Sequence, residues 1–170
     1  MMAGDILAGR REYEKAMVHY QNVIQTQPNS PRAYIMCGTI YEYLEQYDFA
    51  KDMYKQTIRV EPGNPLGHYY LARMNILAGK LQDAKNNLRR TLELRPNLLE
   101  PRRFLAWILE KQGNEDEARR KYELLLKLDP LNKKTQERIK SLDGSLALMD
   151  IGSEEYRLAV KDLLGSPQIH

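Results

Sequence analysis

Four prolines, Pro28, Pro62, Pro96 and Pro130, stand 34 residues apart, and this fixed step constrains the fold of the 170-residue chain more than any other feature. A constant period of this length marks stacked supersecondary units, because one unit buries too little apolar surface alone and must repeat to close a core. The same step returns at Ala16, Ala50, Ala84 and Ala118, and again at Tyr20, Tyr54, Leu88 and Tyr122. Earlier in each unit lie Gly4, Gly38, Ala72 and Ala106, preceded by Ala3, Cys37, Leu71 and Leu105 and followed by Leu7, Tyr41, Asn75 and Leu109. Small and apolar residues therefore keep one register along the chain.

The period also selects the element type. Two amphipathic helices of about 14 residues with two short turns consume about 34 residues. Within residues 31–44, Tyr34, Cys37, Gly38 and Tyr41 follow the i, i+3, i+4, i+7 spacing of one helix face. Ala50, Met53, Tyr54, Thr57 and Ile58 form the matching stripe of a second helix. Each unit is thus expected to be a helical hairpin whose stripes face each other. Gly38 and Ala50 are small where the two backbones approach. Each proline falls between units, where a missing amide donor costs least.

These residues resemble the tetratricopeptide repeat, whose unit reads W-x2-L-G-x2-Y, then A-x3-F, then P. Residues 31–64 match best, through Tyr34, Cys37, Gly38, Tyr41, Ala50, Tyr54 and Pro62, whereas His68 and Arg102 replace the large aromatic and Asn75 replaces a tyrosine in later units. The resemblance covers residues 1–132 and implies an all-α, right-handed superhelix of hairpins. The expected divisions are a partial unit at 1–30, units at 31–64, 65–98 and 99–132, a cap helix at 133–144 and an amphipathic tail at 145–170. Counting back from Pro28 makes Met1 the fifth residue of its unit, as in a frayed start or a piece of a longer repeat protein. Lys133–Leu142 carries Ile139 at the core position of a fifth unit. In the tail, Tyr156, Ala159, Val160, Leu163 and Leu164 form a stripe that needs a surface. The expected surface is the final hairpin and residues 133–142, ahead of the rival site in the groove described next.

Function is sought on faces that stacking does not use. At 100° per residue, unit positions 2, 5, 9, 12 and 13 of the first helix turn away from its core stripe. Position 10 reads Ile6, Ile40, Met74 and Ile108, but position 9 reads Asp5, Thr39, Arg73 and Trp107, unlike in every unit. In the family this side lines a concave groove for peptides, so the resemblance implies a binding surface of Ile35, Thr39, Tyr43, Tyr69, Arg73, Leu77, Arg103, Trp107 and Lys111. Trp107 is the expected anchor, and Arg73 and Arg103 are expected to meet an acidic group of the ligand. The family's clamp for chaperone carboxylates needs Lys at position 5 and Asn at position 9. This chain has Ile35 with Thr39, Tyr69 with Arg73, and Arg103 with Trp107, which excludes that ligand. The expected role is a scaffold or adaptor binding a protein segment, with a homo-oligomer paired through its terminal helices as the alternative.

Composition narrows the remaining classes. No apolar run approaches the roughly 18 residues of a membrane span. Met1–Gly9 lacks the features of a secretory signal, which makes the cytoplasm the default expectation. His19, His68 and His170 have no spaced companions, Cys37 sits at a core position, and no phosphate-binding glycine loop occurs, so neither catalysis, metal nor cofactor is expected. Net charge is only +3, yet Lys and Arg outnumber Asp and Glu by 15 to 9 over residues 85–140, while the order reverses to 2 against 5 over residues 141–170. Arg89, Arg90, Arg119, Arg120 and Lys121 are interleaved with acidic residues, which ranks nucleic acid well behind a protein partner.

Overall fold

The computed structural model describes residues 2–142 together with Leu158, Lys161 and Gly165. The described residues contain no strand. Their helices are α1 (Met2–Gly9), α2 (Tyr13–Thr26), α3 (Pro31–Tyr43), α4 (Tyr47–Val60), α5 (Pro65–Leu77), α6 (Leu81–Leu94), α7 (Leu99–Lys111), α8 (Glu115–Leu128) and α9 (Lys133–Leu142). The period survives folding, since α3, α5 and α7 each begin 34 residues after the last, as do α4, α6 and α8.

Local chemistry sets these boundaries. Pro31 and Pro65 open α3 and α5, where their missing N–H groups would have been orphans anyway. The Asn64 side-chain Oδ1 caps α5 by accepting from the backbone N–H groups of Leu66 and Gly67. Each hairpin turn uses one residue at positive φ, namely Arg11, Glu45, Gly79 and Gly113, again at 34-residue intervals. The residue after it donates back to the helix, from Glu12 to the Leu7 carbonyl, Gln46 to Tyr41, Lys80 to Asn75, and Asn114 to Leu109. That pattern is a Schellman turn, and glycine adopts its left-handed residue without the steric cost borne by Arg11 and Glu45.

Packing is between chain neighbours. Helices α1 and α2, α3 and α4, α5 and α6, and α7 and α8 form hairpins, and each hairpin stacks on the next through α2 and α3, α4 and α5, and α6 and α7. The result is an all-α solenoid of helical hairpins. Ala16, Ala50, Ala84 and Ala118 are wholly buried, as are Tyr20, Tyr54, Leu88 and Tyr122 one turn further along the same helices. A Cβ on Gly38 would lie 2.5 Å from the Tyr54 ring, which explains the small residue there. The inter-unit prolines are exposed. Helix α9 packs on α8, with Leu142 buried and Ile139 against the same apolar cluster. The amphipathic tail expected at 145–170 lies outside the described residues, save for Leu158 and Lys161, which are helical, and Gly165. Gly165, at φ 68°, donates its N–H to the Lys161 carbonyl at 2.9 Å.

Candidate interaction surface

Hydrogen-bonded networks, buried at Glu42 and more exposed at Arg32 and Arg138, tie the odd-numbered helices together. Tyr54 Oη donates to Glu42 Oε2 at 2.9 Å, and Arg73 approaches the other oxygen of Glu42 through Nη2 at 2.6 Å and Nε at 3.2 Å. Both side chains of this ion pair are about 5% exposed or less. Tyr122 Oη donates likewise to Glu110 at 3.0 Å, and Arg138 of α9 reaches the same carboxylate at 3.3 Å. In the first hairpin Tyr20 donates to Asp5 at 2.8 Å, and Arg32 of α3 binds its other oxygen at 2.9 Å. Burial first, and the facing carboxylate with it, pushes all three tyrosine hydroxyls well above their usual range, so they act as donors. The α5/α6 hairpin has no such network at the equivalent positions, which are filled by buried Ile76 and Leu88.

The residues singled out from the sequence divide by burial. Thr39 and Trp107 are 1% exposed, Arg73 5% and Ile35 8%. Thr39 donates to the Met36 carbonyl, and Trp107 shares an apolar cluster with Ile76, Phe104 and Leu109. Tyr43 is exposed and packs its ring 4.3 Å from that of Tyr13. Tyr69 is half-buried between Tyr70 and Phe104. Arg103 pairs with Glu100 and lies over the Phe104 ring, while Lys111 lies 6.0 Å from the Trp107 ring centroid.

Two expectations change. Unit position 9 is not free of structural duty, because Asp5 and Arg73 both occupy it and both complete networks between helices. The acidic group expected from a ligand at Arg73 is supplied by the chain's own Glu42. The sequence reading missed Glu42 and Glu110. A signal existed: unit position 12 carries Glu in the two units whose second helix presents Tyr54 and Tyr122, and Ile76 in the unit with Leu88.

Beside Arg73 lies a cavity of about 430 Å³ with an apolar floor of Met74 and Leu77 from α5 and a polar rim of Glu45, Tyr47 and Lys51. Leu158 and Lys161 also line it. Lys161 Nζ pairs with Glu45 at 2.9 Å, and Arg73 Nη2 donates to the Gly165 carbonyl at 3.4 Å.

Repeat period, Schellman turns and stacked hairpins agree with the sequence comparisons. Two tetratricopeptide-repeat family models match residues 35–97 and 75–142, together more than half of the chain. The chain belongs to the tetratricopeptide-repeat family. Among solved structures it is similar to MamA at 19% identity and TM-score 0.77, over 96% of this chain and 95% of that one. It is similar to YrrB, described as a TPR protein with an unusual peptide-binding site, at 23% identity and TM-score 0.72, over 94% and 80% of the two chains. A third similar structure is the first TPR of Spaghetti (RPAP3) bound to an HSP90 peptide, at 19% identity and TM-score 0.62, over 66% of this chain and 90% of that one. No curated protein sequence matches the chain.

Other chemistry on this tetratricopeptide-repeat chain is structural. Burial pushes the Cys37 thiol up to about 12, which keeps it protonated and unreactive at neutral pH. His68 is held between Asn87 and the Pro62 carbonyl. Among the described residues no group of three His, Cys, Asp or Glu side chains is placed to hold a metal ion, and no helix is long and apolar enough to cross a membrane.

Proposed function

We propose that the chain is a non-enzymatic scaffold that binds a protein segment along the face formed by α3, α5 and α7. The single observation that carries this reading is the cavity that Met74 and Leu77 of α5 share with Glu45 and the start of α4, where apolar side chains meet charged ones and Leu77 joins it to that face. That combination suits a segment with one apolar side and one polar side. Tyr43, Tyr69, Leu77, Arg103 and Lys111 are the groups that would touch the ligand. Ile35, Thr39, Arg73 and Trp107 form the wall beneath them, fixed by burial and by the Glu42 ion pair. The pairing of Arg73 with Glu42 shifts the expected ligand from acidic toward amphipathic. Peptide-array capture, followed by titration of the captured peptides, tests the reading. Leu77→Asp should weaken binding by about 2 kcal/mol, as an interface hot spot does, in titrations kept well below its melting temperature, which falls because Leu77 also packs against two apolar clusters. Undiminished binding would move the site elsewhere.

A second reading, self-association, has one observation in its favour. Leu124, Leu128 and Leu131, at the end of α8 and just beyond it, are 46%, 57% and 87% exposed. Light scattering across a concentration series separates a monomeric scaffold from a dimer paired through this edge.

A further inference from the structure

Three contacts from the far end of the chain converge on the cavity beside Arg73. Leu158 and Lys161 line its opening, Lys161 pairs with Glu45 on the rim, and the Gly165 carbonyl accepts from Arg73 at the base. The groups they meet belong to the turn at Glu45, the start of α4 and α5, whereas a cap on the last hairpin would sit on α8 and α9. From these we infer that the groove takes a short amphipathic helix closed by glycine, and that the chain's own C-terminal segment is its resident occupant. The inference rests on the groove reading above and adds to it the chemistry of the ligand.

The geometry gives each residue a separate part. Leu158 and Lys161 are both helical and three apart, the spacing of one helix face, and both line the cavity, with Leu158 still 55% exposed. Gly165 is left-handed and its N–H donates to the Lys161 carbonyl, the geometry of a glycine helix stop. Its carbonyl then accepts from Arg73 Nη2, a guanidinium whose five donors exceed what one Glu42 oxygen can accept. Glu45 is also placed with purpose. It holds a positive φ at the turn position where later hairpins have Gly79 and Gly113, and so keeps a carboxylate at the rim. The ion pair between Lys161 and Glu45 is solvent-exposed and orients the segment more than it binds it. Tethering supplies the rest, because a linked segment acts at an effective concentration of about a millimolar. A free peptide of similar chemistry must compete against that concentration and binds at least tenfold more weakly than to an emptied groove.

Zero-length carbodiimide crosslinking of the full chain, with monomer and dimer analysed separately by mass spectrometry, tests the seat. An amide between Lys161 and Glu45 is expected in the monomer, falling at least tenfold in Leu158→Asp, which keeps both reactive groups. A labelled peptide of residues 153–170 should bind Leu158→Asp at least tenfold more tightly than wild type. Coupling of Lys161 to α8 or α9 carboxylates instead would make the segment a cap and overturn the inference. So would a Lys161–Glu45 amide confined to the dimer, which assigns the segment to a second copy, or equal peptide affinity for the two chains. None of these results touches the groove reading itself, which stands on the Leu77→Asp titration.

Discussion

The α3/α4 and α5/α6 hairpins share one backbone period but fill it in opposite ways. In the first, Glu42 and Tyr54 put a carboxylate and a hydroxyl inside, Gly38 leaves room for the tyrosine ring, and Glu45 closes the turn at positive φ. In the second, the same four positions hold Ile76, Leu88, Ala72 and Gly79, with no polar group to satisfy. At those positions the second hairpin asks nothing of its neighbour, although its buried Arg73 needs Glu42 in turn. The polar one depends on Arg73 from its neighbour to neutralise Glu42, and so carries an obligation across the stack. That obligation also places a guanidinium on the candidate binding face, where the next hairpin places Trp107.

The largest test of this contrast is Glu42→Ala, which strands a buried guanidinium and should cost about 3–5 kcal/mol, as breaking one side of a buried pair does. Chemical denaturation measures it, and a cost below about 1 kcal/mol would show that Arg73 finds water instead. Next is Gly38→Ala, whose new Cβ would press on the Tyr54 ring and should cost about 1–3 kcal/mol. Ala106 coexists with Tyr122 in the last full hairpin, so a null result would mean that α3 and α4 can open to the same spacing. Arg11→Gly gives the first turn the residue that the later turns already have, and should stabilise by about 0.5–1 kcal/mol. A loss of stability there would assign Arg11 a contact beyond the turn. The smallest net change is expected from Glu42→Ile/Tyr54→Leu/Arg73→Met, which converts one hairpin to the chemistry of the other. It should fall within about 1 kcal/mol of wild type although Glu42→Ala alone is severe, because a buried ion pair and a packed apolar core are often equivalent in stability.

The helix count per unit, the hairpin register and the small residues at helix crossings were legible because each depends on spacing within one unit. Ile139 was similarly readable as the core position of an added helix on the stack. The candidate surface was legible only in part. Helical geometry turns Thr39 away from Ile40, yet both are buried, because the spacing of one helix does not show what lies across from a face. Arg73 was therefore read as a cation awaiting a ligand, whereas Glu42, 31 residues away, holds it. Trp107 was expected on the open face for the same reason and is 1% exposed.

By itself the sequence determined the element type, the period, the turn positions and the family, since all follow from intervals of a few residues along one chain. The tertiary structure decided which charges are spent inside the protein and which remain on its surface. It also decided that Leu158, Lys161 and Gly165 meet the α3–α5 region rather than the final hairpin. Both matters depend on residues brought together from distant parts of the chain. Burial and ion pairing act between whatever groups the fold brings within a few ångströms, at any separation in sequence, and no periodicity encodes that distance.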